Sequence, residues 1–368
     1  MKNKNAVLKI LAELCRLLIG VVFIFSGFVK AVDPMGGAIK IGEYLASFGL
    51  DMLQPFTVLL SFNLSAIEFA LGVCMLLGVY RRYVSFLILI FMAFMTPLTL
   101  YLALFDPVSD CGCFGDALVI SNWETFFKNI VLSLAAIVTF IYNQRLFQCF
   151  TFRAYWFVAL YAYLFGVGFA YYNYNHLPVI DFRPYKIGAN IPKLMEMPEE
   201  APQDEYKYTF VYEKDGVKKE FSLEDYPAND SSWTFVDSKT ELVKKGYQPP
   251  VAAFNIYNGK GDDVTEEIIG NPGPVLLLVA PKLEEADDEQ MDEINGVYDY
   301  ALEHDIPFYC VTGSSPEAID TWSDNTGAEY PFRMADEVLL KTIIRSNPGL
   351  VLLKGGTCLL YTSPSPRD

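Results

Sequence analysis

Histidine is almost missing: the 368 residues contain two, His176 and His304, and neither adjoins a cysteine. A metal centre near the cysteines would have to rely on thiolates, which suit copper(I) or zinc. Positive charge is short as well, with 28 Lys and Arg against 44 Asp and Glu. The deficit is uneven. Residues 1–175 hold 11 basic against 9 acidic side chains, whereas residues 176–357 hold 16 against 34. Such acidity argues against nucleic acid as a partner and says little about fold. No small-residue cleavage site follows Phe28, so the first apolar run is not a removable signal peptide.

Long apolar runs, by contrast, are plentiful. A helix crosses a bilayer with roughly 20 apolar residues, and five stretches qualify: Ile10 to Phe28, Thr57 to Tyr80, Tyr83 to Phe105, Thr125 to Tyr142 and Ala154 to Tyr172. If they alternate in direction, Lys2, Lys4, Lys9, Arg81, Arg82, Arg145 and Arg153 share one side, which the distribution of basic residues marks as cytoplasmic. Lys30 and Lys40 lie opposite and weaken the asymmetry slightly. The chain is thus expected in the cell (inner) membrane, with its N-terminus inside and everything after Tyr172 outside.

Between the third and fourth stretches runs Asp110-Cys-Gly-Cys-Phe-Gly-Asp116. Outside the cytoplasm thiols tend to be oxidised. A disulfide between Cys111 and Cys113 closes a very small ring near the limit of allowed geometry, with Gly112 relaxing the backbone. Strained, exposed disulfides are the better oxidants. Three readings stay open: a redox pair, a structural bridge or two unpaired thiols in a tight turn, and a soft-metal site. Asp110 and Asp116 would raise the thiol pKa and slow attack. Glu68 falls well inside the second stretch, where an ionisable group is a functional candidate. It would accept a proton from thiol oxidation, or hold a quinone head, or pair with Arg16 or Lys30. Asn63 offers an interhelical hydrogen bond, Pro97 a kink, and Cys74 a small buried hydrophobe.

Arg16 to Lys30, Asp33-Pro34, Glu68 with Gly72 and Gly78, and the Cys-Gly-Cys-Phe-Gly loop ending at Gly115 together resemble the DoxX-like superfamily, specifically its MauE (methylamine utilisation) branch, over about residues 8 to 145. The resemblance implies a four-helix membrane bundle, and for the branch a part in maturing a disulfide-rich periplasmic enzyme within methylamine metabolism. Related members imply quinone-linked sulfur oxidation. Fold alone does not carry either role across.

Past the fifth stretch, residues 194 to 205 form an acidic linker. Tyr206 to Glu213 and Val217 to Phe221 flank Lys214-Asp-Gly216 and read as a hairpin. Strands are expected at Ser232 to Val236, Ala253 to Tyr257, Pro274 to Ala280, Pro307 to Thr312 and Gly349 to Leu353, with helices at Glu285 to His304, Ser315 to Asp324 and Leu339 to Ile344. This alternation resembles the thioredoxin fold over residues 250 to 357, with Pro348 at the family's cis-proline position and its peptide-binding edge. Where that family carries Cys-x-x-Cys, this chain reads Ala280-Pro-Lys-Leu-Glu-Glu-Ala286, so the domain is expected to bind or position rather than exchange disulfides. Residues 358–368, CLLYTSPSPRD, resemble translated sequencing adapter and are set apart as a non-native tail.

The expected architecture is an all-α membrane bundle (residues 1–150), a fifth transmembrane helix (151–175), a linker with a hairpin (176–249) and a truncated α/β thioredoxin-like domain (250–357). The leading functional expectation is a thiol–disulfide redox or maturation factor. In it Cys111 and Cys113 are the working pair, Glu68 the proton acceptor, and Asp110, Gly112, Gly115, Asp116 and Pro348 supporting residues. Its partners would be the lipid bilayer and an exported client, with a quinone as a candidate electron acceptor. The alternatives are a non-enzymatic membrane-anchored interaction protein and a quinone-linked oxidoreductase subunit.

Overall fold

A computed structural model describes residues 2–108, 110–198, 205–214, 217–222, 233–244, 249, 251 and 254–362. The first half is helical: α1 (Lys2–Val32), α2 (Pro34–Ser47), α3 (Thr57–Leu77), α4 (Arg81–Phe105), α5 (Asn122–Ile141) and α6 (Tyr155–Asn175). Four segments, Asp51–Leu77, Arg81–Phe105, Asn122–Ile141 and Phe152–Asn175, are long and apolar enough to cross a membrane. The remaining stretch, Ile10 to Phe28, lies within the 31-residue α1, whose length exceeds theirs and which carries Glu13, Arg16 and Lys30.

α1 lies along α3, α4 along α5, and α6 against α3. Gly72 allows the first contact, since a Cβ there would come 2.5 Å from the backbone nitrogen of Ile24. Ile19, Phe23, Met75, Ile88, Met92 and Ala136 fill the centre. Val21, Phe94, Leu104, Phe127 and Leu134 point outward and are exposed, as a lipid-facing surface requires. Tyr163 donates a hydrogen bond of 2.7 Å to Asn63 Oδ1, joining α6 to α3. Pro97 lies inside α4, which continues through it to Phe105.

α2 is a helix the apolar pattern does not mark, because it is short and opens on Gly36-Gly37. Its start was nevertheless written in the chain. Asp33 caps it, Oδ1 accepting from Gly36 N at 2.9 Å, and Pro34 takes the first turn, where its missing N–H costs nothing.

After the short α7 (Ile191–Met195) come β1 (Glu205–Lys214), β2 (Val217–Ser222) and β3 (Thr234–Lys244), an antiparallel sheet in the order β2-β1-β3. The Asp215-Gly216 turn and residues 199–204 of the linker lie outside the described residues. The second sheet is built by α8 (Thr265–Ile269), β4 (Pro274–Ala280), α9 (Met291–Glu303), β5 (Phe308–Thr312), α10 (Pro316–Thr326), β6 (Phe332–Met334), α11 (Glu337–Ile343), β7 (Gly349–Lys354) and β8 (Thr357–Tyr361). Its order is β6-β5-β4-β7-β8, with β4, β5 and β6 parallel and β7 and β8 antiparallel. The Asn347–Pro348 bond before β7 is cis. This is a thioredoxin-like α/β domain. Along β4, Val275, Leu277 and Val279 enter one core while Leu278 and Ala280 enter the other, so both faces of the sheet are covered.

Several elements depart from expectation. At residues 254–257 the described chain makes no strand, only isolated bridges from Tyr257 to Asp263 and Met334. The helix expected from Glu285 begins at Met291, and β6 is a three-residue strand too short to announce itself by pattern. β8 crosses residue 357: Cys358 and Tyr361, from the segment set apart as a tail, are buried in the core. Residues 363–368 lie outside the described residues.

The two halves are joined by an ion pair. Arg345, just past α11, donates from Nε to Asp33 Oδ1 at 2.9 Å and from Nη2 to Oδ2 at 2.5 Å. Burial opposes the charge of Asp33, but Arg345 outweighs it and holds the carboxyl below its ordinary range. A depressed carboxylate stabilises the paired state at neutral pH and loses that contribution as pH falls through its folded pKa. Arg345→Ala should therefore weaken docking of the soluble domain by about 2 kcal/mol, read as faster proteolysis after residue 176. Wild-type docking should loosen below about pH 4, and an Asp33→Arg/Arg345→Asp exchange should recover part of the loss.

Candidate functional site

The loop between α4 and α5 folds back over the bundle's end. Ser121 caps α5 and forms a reciprocal capping box with Glu124, fixing where the loop rejoins the helix. Asn122 Nδ2 reaches Asp106 Oδ1 at 2.7 Å and the Val108 carbonyl at 3.0 Å, tying the two ends of the loop together. At its tip the sulfurs of Cys111 and Cys113 lie 2.7 Å apart. Gly112 between them has φ +62°, and Asp110 Oδ1 accepts its N–H at 2.8 Å.

Both cysteines are buried, 7 % and 9 % exposed, which corrects the expectation of an exposed pair. The cover is α2. Tyr44 donates its hydroxyl to the Cys111 carbonyl at 2.8 Å, and Lys40 spans from Glu43 at 3.0 Å to Asp110 at 3.2 Å. The cysteines pack towards Leu102, Met95 and Tyr101. The other side of the loop faces a cleft of about 440 Å³ between the two halves, bordered by Asp110, Gly112, Gly115, Asp116, Arg183 and Arg345. Every supporting residue expected around the couplet thus lines the cleft, while the sulfurs themselves face inward.

Beneath the couplet sits Glu68, 2 % exposed. Its oxygens accept from Lys30 Nζ at 2.7 and 2.9 Å. Arg16, the other partner considered, pairs with Glu13 and reaches the carbonyls at the end of α3. Ser26 Oγ lies 2.7 Å from both Glu68 Oε2 and the Cys113 carbonyl. With one proton, that hydroxyl serves one acceptor at a time and links the ion pair directly to the loop. Ser26, Tyr44 and Lys128 are the residues the sequence did not single out. Lys128 alone carried a signal, as the one basic residue of α5.

The environment of the thiols is more cationic than their flanking aspartates suggested. Cys113 is held below its ordinary value, first by its hydrogen bond with Cys111 and then, against burial, by Lys128 and Lys30. Cys111 moves the opposite way, raised by the same contact with Cys113 and by burial. Asp110 spends its charge on Lys40.

Pro348 stands where expected, in cis immediately before β7. It lies in the soluble domain, apart from the couplet, and the edge it marks is already occupied: Asp287 N–H donates to the Asn347 carbonyl at 2.9 Å and Asn347 Nδ2 donates to the Lys282 carbonyl at 2.8 Å. Where the fold's Cys-x-x-Cys would stand, Pro281 and Leu283 are buried and Lys282 pairs with Glu285. Cys310 is wholly buried in β5.

The positive φ of Gly112 yields a direct check. A Cβ there would meet Lys40 Cγ at 3.2 Å, in a backbone conformation costing a side chain roughly 1–3 kcal/mol. Gly112→Ala should lower the melting temperature in detergent and increase alkylation of both cysteines; unchanged melting and labelling would contradict the tight turn described here.

Residues 8–142 match the family model described as Methylamine utilisation protein MauE, and residues 206–245 match a domain of unknown function (DUF8463). No curated protein matches the chain. Among solved structures, a solution structure from Bacteroides thetaiotaomicron described as a protein disulfide isomerase is 18 % identical, with a TM-score of 0.26, over 31 % of this chain and 76 % of that one. Residues 8–142, with their long apolar helices and cysteine loop, form a MauE-family membrane domain.

Proposed function

We propose that the chain is a thiol–disulfide redox or maturation factor for exported proteins, with Cys111 and Cys113 as its working pair. The observation that supports this best is the contact of their two sulfurs at 2.7 Å in a loop braced by side chains of α1, α2 and α5. Oxidised, the pair would take two electrons from a client dithiol. Reduced, it would wait for an acceptor. Glu68 and Ser26 connect the loop to the bundle and give a released proton a polar neighbour.

In this reading the five long helices alternate through the cell (inner) membrane, the N-terminus is cytoplasmic, and the couplet and soluble domain face the periplasm, where oxidation is favoured. α1 is the first crossing. The soluble domain, without a Cys-x-x-Cys, roofs the cleft and positions the client. A membrane quinone is the proposed acceptor. The cavity beside Cys113, about 30 Å³, has room for roughly one or two waters, so a quinone ring would enter only if the helices part.

Burial of both sulfurs favours a second reading, a non-enzymatic membrane-anchored interaction protein whose couplet is structural. Redox titration separates the two. Membranes are equilibrated across glutathione buffers, trapped with a maleimide, and the peptide spanning residues 106–121 is weighed. The redox reading expects Cys111 and Cys113 to change together, as one two-electron step, and to be labelled from outside intact cells. A pair locked in one state throughout supports the structural reading.

A further inference from the structure

The couplet is not symmetric in its surroundings. Cys113 borders the small cavity among α1, α3, α4 and α5, together with Lys30, Glu68, Lys128 and Asn129; Cys111 does not. From α1, the ammonium of Lys30 is held by both oxygens of Glu68 on α3. From α2, Lys40 is shared between Glu43 and Asp110, and Tyr44 spends its proton on the Cys111 carbonyl. α5 contributes Lys128, whose ammonium stands 4.2 Å from the ring centroid of Phe114, the residue following Cys113. Among the described residues no carboxylate pairs with Lys128, so its charge is the unneutralised one at this end of the bundle.

We propose that the two sulfurs have fixed and different roles: Cys113 is the thiolate and leaving group, held in place by Lys128, and Cys111 is the sulfur that carries the client. The proposal rests on the redox reading above for its chemistry, but its charge asymmetry can be tested without it. In the oxidised protein a client thiolate attacks Cys111 Sγ. The Cys111–Cys113 bond breaks, its electron pair leaves on Cys113, and a client–Cys111 bond forms. A second client thiolate attacks the client sulfur of that mixed disulfide and releases Cys111, which takes one proton. The client has lost two electrons and two protons; the couplet holds the electrons as one thiol and one thiolate, and the other proton passes to water. A better leaving thiolate departs faster, which fixes the order of attack. Lys128 is a positioning residue here: it sets which sulfur leaves and does not itself touch the client.

Two measurements test this. The first uses the reduced, full-length protein in nanodiscs, alkylated with iodoacetamide between about pH 5 and 9 and mapped by mass spectrometry. Cys113 should react first, with a midpoint below that of an ordinary thiol. Lys128→Met should move that midpoint upward by about one unit, a roughly tenfold slower reaction at the acid end, while Lys128→Arg should retain it. Phe114→Leu, which removes the ring and keeps the charge, serves as the control for a packing defect and should leave the midpoint near that of the wild type. Cys111 reacting first, or a midpoint indifferent to Lys128→Met, would overturn the assignment. The second treats the oxidised protein briefly with 2-mercaptoethanol and quenches with acid; the adduct should lie on Cys111, and an adduct on Cys113 would contradict the order. Because the first measurement starts from free thiols, it holds even if the pair never cycles in cells, and so fails separately from the redox reading.

Discussion

The membrane half depends on one buried ion pair. Glu68 lies inside a helix bundle, where an unpaired carboxylate is expensive, and Lys30 is the cation that makes it tolerable. Removing one partner of such a pair leaves a buried charge uncompensated, at a cost of about 3–5 kcal/mol. The pair joins α1 to α3, and through Ser26 it reaches the carbonyl of Cys113. The conformation of the cysteine loop is therefore coupled to the integrity of the bundle beneath it. Because Glu68 is committed to Lys30 and Ser26, it also has no lone charge available for other work until one of those contacts opens.

Above the loop the constraint is supplied by α2. Asp33 at its start serves the helix cap and Arg345 of the soluble domain simultaneously, while Lys40 and Tyr44 farther along hold Asp110 and Cys111. One short helix thus connects the docking of the thioredoxin-like domain to the cover over the thiols. That domain has the sheet order of its fold but lacks the chemistry usually placed there, since Lys282 and Leu283 stand beside an Asn347 backbone bonded to Asp287. Its contribution is the roof of the cleft and the grip on α2.

What the sequence disclosed follows from the range of the interactions. Apolar runs report lipid exposure residue by residue, and four of them became helices both long and apolar enough to cross a membrane. The unbroken apolar run of β4 and the position of Pro348 revealed the second sheet in the same local way. Lys30 was one of two candidate partners for Glu68, and three-dimensional proximity decided between them. α2 was obscured because it is short, carries Gly36-Gly37 in its first turn and packs mainly on α3. β6 needs only three residues, so no pattern could announce it. Ser26 and Tyr44 look ordinary in the chain, and Lys128 shows only as the one basic residue of α5; all three acquire meaning where α1, α2 and α5 converge on Cys111 and Cys113. Asp110 misled for the same reason: its charge was read beside the thiols, without the Lys40 that pairs with it.

The claim that the Glu68–Lys30 pair holds the cysteine loop in place is tested most directly by exchanging the charges. The alkylation rate of Cys111 and Cys113 would be measured in native membranes for Lys30→Glu, Glu68→Lys and the double exchange. Each single reversal should expose the couplet and accelerate labelling, and the double exchange should bring the rate back towards that of the parent protein. Equal rates in all four proteins, or a double exchange as reactive as either single change, would contradict it.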